Sequence, residues 1–123
     1  MSIKLVIVDD APFIREVVRH VVQDSNIQVI GEAQDGAEAV EVVKKLQPHV
    51  VLMDLVMPRK SGIDATREIL AIMPQVKIVA CSTLDQETMV LKALEAGCCS
   101  YVVKPFKKDE LLKAIVTAGG KGS

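Results

Sequence analysis

The chain has 123 residues, half of them apolar, and a formal net charge of −1 at neutral pH. That is one domain's length with enough apolar content for a real core, and so balanced a charge argues against non-specific nucleic-acid binding, which needs a basic face. No apolar stretch reaches the roughly 18 residues of a membrane helix, no secretory signal is visible at Met1-Ser2-Ile3-Lys4, and three cysteines without framework spacing point to a reducing cytoplasm.

The first apolar run, Leu5-Val6-Ile7-Val8, predicts a strand over 4–9 that ends in two acids, Asp9 and Asp10. Pro12 suits the first turn of a helix, where its missing N–H costs nothing. It opens a helix over 12–23 with Ile14, Val17, Val18, Val21 and Val22 on one stripe. The next strand, 27–33, mixes in polar residues and reads as an edge. Asp35 and Glu38 have capping-box spacing ahead of a helix over 36–46, striped by Ala39, Val40, Val43 and Leu46. Val50-Val51-Leu52-Met53 makes a strand over 50–54 that ends in a third acid, Asp54. Ser61 and Asp64 repeat the capping spacing before a helix over 62–71. A strand over 77–82 closes on Ser82, and a helix spans 86–96. A short strand over 100–103 carries Tyr101-Val102-Val103 into Lys104-Pro105, and the last helix covers 108–118.

Apolar runs alternating with helical patterns signal an α/β fold with a parallel sheet. The strands near residues 5, 51 and 78 are almost continuously apolar and belong in the centre. The predicted order is 2-1-3-4-5, a flavodoxin-like five-stranded sheet, with its crevice between strands 1 and 3. Right-handed crossovers put helices 1 and 5 on one face and helices 2, 3 and 4 on the other. The only aromatic residues are Phe13, Tyr101 and Phe106, so the core must be Val, Ile, Leu and Ala.

Asp9, Asp10, Asp54, Ser82 and Lys104 therefore meet at the carboxyl ends of the strands. Two carboxylates about 4 Å apart repel by roughly 4 kcal/mol at an effective dielectric of 20. A trio of them calls for a cation, and carboxylate oxygens suit a hard one such as Mg²⁺. Each residue alone has a bland reading: a solvated turn for Asp9-Asp10, a turn hydroxyl for Ser82, a solvated charge for Lys104. Their shared sheet edge is what sets them apart. His20 and His49 read as solvated, Cys98-Cys99 as filling a corner after Gly97, Cys81 as packed in the sheet, and Lys107-Lys108 as a solvated helix start. Gly119-Gly120-Lys121-Gly122-Ser123 reads as a frayed end or the start of a linker.

In order and spacing, Asp9-Asp10, Asp54-Leu55-Val56-Met57-Pro58, Ser82-Thr83 and Lys104-Pro105-Phe106 resemble the receiver domain of two-component response regulators. The resemblance runs from about residue 3 to 118, as a single receiver domain over 1–123. It leans toward stand-alone chemotaxis regulators of the CheY type, on Asp9-Asp10-Ala11-Pro12-Phe13-Ile14-Arg15, Gly31-Glu32-Ala33, Gly62-Ile63-Asp64-Ala65, Cys81-Ser82 and the segment from Tyr101 to Phe106. It implies that Asp54 takes a phosphoryl group from a phosphohistidine on a CheA-like histidine kinase. Mg²⁺ is then held by Asp10, Asp54, the backbone carbonyl of Val56, and Asp9 directly or through water. Lys104 pairs with a phosphoryl oxygen, Ser82 donates a hydrogen bond to another, and the Lys104–Pro105 bond is cis. Tyr101 turns inward as Ser82 shifts, remodelling a helix 4–strand 5–helix 5 face that binds an output partner, with the flagellar motor switch expected.

The same resemblance implies a cytoplasmic monomer that turns over no external substrate and touches neither nucleic acid nor membrane. Val56 and Leu84 flank the presumed water path, and apolar residues there cannot orient an attacking water. Slow dephosphorylation and reliance on a separate phosphatase are expected. Two readings compete. One is a receiver cut from a longer transcription factor or methylesterase, or a phosphate sink. The other is a metal-dependent phosphatase with an aspartate nucleophile, which usually wants a second acid where Val56 stands.

Overall fold

A computed structural model describes residues 2–120. Five strands and five helices alternate: β1 (Ile3–Val8), α1 (Pro12–Val22), β2 (Ile27–Ala33), α2 (Gly36–Leu46), β3 (Val50–Asp54), α3 (Gly62–Ile72), β4 (Lys77–Ser82), α4 (Glu87–Ala96), β5 (Ser100–Val103) and α5 (Lys108–Gly120). The strands form one parallel sheet in the order β2-β1-β3-β4-β5. The expected topology is the observed one.

Burial explains that order. β3 is buried throughout, and β1 and β4 are buried at all but one residue each. The mixed β2 and the short β5 are half-covered and take the edges. Side chains alternate along each strand, so each strand feeds two cores. Val6, Val8, Val51, Met53, Ile78 and Ala80 pack under α2, α3 and α4. Leu5, Ile7, Val50, Leu52, Val79 and Cys81 pack under α1 and α5 through Val18, Val22, Leu111 and Ile115. No aromatic side chain is among the fully buried core residues.

Pro12 opens α1, as its fixed φ favours. Asp35 caps α2 by accepting from Glu38 N–H at 2.8 Å; the Glu38 carboxylate closes the box one residue upstream, on Gln34 N–H. Ser61 caps α3 through Asp64 N–H, while the Asp64 side chain turns to Arg67. Gly97 ends α4 at φ 118°, a left-handed backbone that favours glycine, and so turns the chain into β5. The buried Cys98 and exposed Cys99 fill that corner as free thiols.

Two expectations need correction. His49 is exposed but not merely solvated: its Nδ1 accepts from Lys4 N–H at 3.0 Å, and its own N–H donates to the Lys4 carbonyl at 2.9 Å. It thereby prolongs the β1–β3 pairing. Gly119 and Gly120 are not a frayed tail but the last turn of α5; residues 121–123 lie outside the described residues. Other element ends match expectation or differ from it by one residue. Among the described residues, no helix is long and apolar enough to cross a membrane.

Candidate functional site

The crevice forms where β1 and β3 run side by side and their crossover helices leave on opposite faces. β1 delivers Asp9 and Asp10 one and two residues past its end. β3 delivers Asp54 as its last residue. Asp9 and Asp54 are buried and Asp10 is exposed, and one carboxylate oxygen from each lies within 4.8 Å of the other two. The sequence-predicted trio is thus brought together.

Local bonds aim each group. Asp9 N–H donates to the Ala33 carbonyl, and its Oδ1 accepts from Ala11 N–H at 2.9 Å. Asp54 Oδ1 accepts from Val56 N–H at 3.3 Å. Lys104 reaches in from the end of β5, 2.7 Å from Asp9 Oδ2 and 3.6 Å from Asp54 Oδ2. Its backbone N–H is fixed on the Ser82 carbonyl at 2.7 Å, and the following Lys104–Pro105 bond is cis, as expected. Ser82 Oγ is fully buried without a hydrogen-bond partner. Buried hydroxyls are seldom left unpaired, which sets this one apart from the other polar groups of the crevice.

Charge shapes the site. Burial, then the Asp9 charge, push the Asp54 carboxyl from an ordinary 3.8 up to about 6, against Lys104 and the Val56 N–H, with Asp10 adding to the rise. Burial works to lower the Lys104 ammonium; its bond to Asp9 and the charges of Asp54 and Asp9 outweigh that and raise it. One lysine thus faces three carboxylates, and an all-oxygen set with excess negative charge fits a hard divalent cation.

Glycine lets the loop close behind the end of β3. Gly62 N–H donates to the Leu55 carbonyl at 3.2 Å, and a Cβ on Gly62 would stand 2.1 Å from the Asp54 carbonyl oxygen. Gly62→Ala is therefore expected to destabilise the protein by about 2 kcal/mol or more, read as a lower urea midpoint.

The other singled-out residues lie around this centre. Val56 and Leu84, two residues past Asp54 and Ser82, are 49% and 79% exposed. Tyr101 is half-exposed on β5 and lines a groove of about 630 Å³ shared with α5. His20 and His49 take no part. Two sets of residues were missed. Arg15 donates to the Asp9 carbonyl at 2.6 Å and to Glu32 at 2.6 Å, and Arg19 joins the same carboxylate. Those partners outweigh burial and hold the Glu32 carboxyl below its ordinary range. Two arginines one helical turn apart, facing an acid on the neighbouring strand, were the available signal. The second set, Asp35 with Arg59, had no local signal at all.

Comparison with known proteins agrees with this geometry. The response regulator receiver domain family matches residues 5–116. The chain belongs to that family. It is 42% identical over 115 residues to the chemotaxis protein CheY of Thermotoga maritima, covering 94% of this chain and 96% of that protein. The response regulator domain of Thermotoga maritima CheB superposes with a TM-score of 0.89 at 31% identity, covering 98% of each chain. A chain of the CheX–CheY–BeF3–Mg²⁺ complex from Borrelia burgdorferi superposes at 0.87 with 26% identity, over 94% of this chain and 87% of that one.

Proposed function

We propose that this protein is a phosphoacceptor switch of a chemotaxis-type two-component pathway. Asp54 accepts a phosphoryl group from a phosphohistidine of a histidine kinase: the P–N bond breaks as a P–O bond to an Asp54 carboxylate oxygen forms. The observation that carries this reading is the triad of carboxylates at the β1/β3 crevice with Lys104 among them. Asp9, Asp10, Asp54 and the Val56 carbonyl would hold Mg²⁺. When bound, the ion neutralises charge that otherwise repels the incoming phosphoryl oxygens.

The remaining steps belong to the chain's own residues. Lys104 orients one phosphoryl oxygen. The unpaired Ser82 hydroxyl supplies a charge-assisted bond to another. Its displacement lets Tyr101 turn in from the surface, which alters the α4–β5–α5 face that an output partner reads; a flagellar motor switch protein is the expected one. The chain turns over no external substrate and works in the cytoplasm as a monomer. Val56 also argues against the phosphatase alternative, because the position two residues after Asp54, where that chemistry wants a second acid, is apolar.

The test is incubation with Mg²⁺ and a small phosphodonor such as acetyl phosphate. One phosphoryl group should appear on the intact chain, map to Asp54, and shift amide resonances of α4, β5 and α5. Labelling elsewhere, or none, overturns the reading.

Decay should be slow, because the exposed Val56 and Leu84 offer a water no hydrogen bond. Val56→Asn is expected to speed dephosphorylation by about ten-fold, less than the roughly 10²–10⁴ of a true general base, because an amide only orients the water. Loss of label with time measures it, and a half-life of seconds in the unmodified protein contradicts it.

A further inference from the structure

We propose that Asp35 and Arg59 are a positioning pair: together they set where the Leu55–Ser61 loop, and hence the Val56 carbonyl, stands at the metal site. The inference rests on the reading of that site as a Mg²⁺ site.

The loop leaves β3 at Asp54 and enters α3 at Gly62. Its base is closed by the bond from Gly62 to Leu55. Its outer half is gripped by another element, the start of α2. Arg59 Nε and a second guanidinium nitrogen lie 2.9 and 2.8 Å from one oxygen, Asp35 Oδ2. Beside them Gly36 N–H donates to the Lys60 carbonyl at 3.0 Å. A Cβ on Gly36 would stand 2.3 Å from that carbonyl oxygen, so the two backbones touch. Lys60 is also paired with Glu68 on α3.

Asp35 is a bracket with both arms in use. Its other oxygen, Oδ1, is taken by Glu38 N–H in the α2 cap. The carboxylate is buried, so it cannot swing with the loop. The Glu38 N–H, aided by Arg59 and opposed by burial, holds its carboxyl below the ordinary range and keeps it charged.

Arg59 adds an independent sign. Its φ of 68° lies in the left-handed region, where glycine is at ease and a long side chain is not. The arginine side chain is 69% exposed, and Asp35 is its ion-pair partner. Little core packing explains an arginine on this strained backbone; the pair with Asp35 does. Strain of this kind persists where surrounding contacts over-determine the conformation, and it gathers at ligand sites. Between the two anchors, the one hydrogen bond of Val56 among the described residues is from its N–H to Asp54 Oδ1.

The test uses the full chain and two variants. Arg59→Asn tolerates the left-handed backbone but removes the guanidinium. Arg59→Lys keeps the charge and loses the fork. Mg²⁺ titration by NMR, hydrogen exchange of the loop amides without metal, and urea midpoints are read together. Arg59→Asn should bind Mg²⁺ about ten-fold more weakly, the low end for a residue behind a metal ligand. Its loop amides should exchange faster by more than any fall in the urea midpoint accounts for. Arg59→Lys should recover part of both. Wild-type Mg²⁺ affinity and loop protection in Arg59→Asn would overturn the pair's role and leave the site reading intact. Failure of the unmodified protein to bind Mg²⁺ would overturn both.

Discussion

Asp54→Asn is expected to abolish phosphoryl labelling and, in the same molecule, to stabilise the metal-free protein. The first effect follows from removing the acceptor oxygen. The second follows from burial and the Asp9 charge, which raise the Asp54 carboxyl to about 6. A folded-state value above the unfolded one means that the native state binds this proton more tightly. The group's contribution is then fully present below about 3.8 and is lost as pH rises through about 6. Above that, the ionised Asp54 weakens the fold by on the order of 2 kcal/mol. Asparagine carries no such charge. Urea unfolding without metal, at pH 4.5 and pH 7.5, should show the wild type losing stability relative to the variant across that window. Parallel profiles, or any label on the variant, contradict the assignment.

Lys104→Met is the second large effect, with the opposite sign. Lys104 is bonded to the buried Asp9 at 2.7 Å and stands 3.6 Å from Asp54. Methionine keeps much of the stem and removes the charge, which leaves Asp9 with the Ala11 N–H alone. Removing one partner of a buried ion pair costs about 3 kcal/mol. A divalent cation can restore the balance, so Mg²⁺ should stabilise this variant more than the wild type, by mass action on the native state. Thermal melts with and without saturating Mg²⁺ measure both halves. A variant as stable as wild type without metal, or one that gains no more from Mg²⁺, would falsify the charge-balance account.

The central architecture was legible because burial on both faces leaves an unbroken trace. Val50 to Met53 has no polar residue, and neither has Leu5 to Val8, so central strands and their acidic ends could be read together. Asp35 announced a helix start by its spacing to Glu38. Its second role could not be read, because Arg59 lies 24 residues away and meets it only after α2 and β3 have folded. His49 was misjudged for a related reason: a histidine that accepts a backbone N–H from β1 looks, in sequence, like any histidine before a strand. The end of α5 was hidden by weak helix propensity at Gly119-Gly120. Tertiary approach overrides it there. A Cβ at Gly119 would stand 2.6 Å from the Ile3 side chain, so the lack of one lets α5 settle on β1.

The aliphatic core has an optical consequence. The chain contains no tryptophan and a single tyrosine, and that tyrosine sits half-exposed on β5 beside the α5 groove. Phenol emission from the whole protein therefore originates at one surface position. Quenching by a dissolved iodide ion would sample that position alone, and any handover from water to packed surroundings could be timed without attaching a dye.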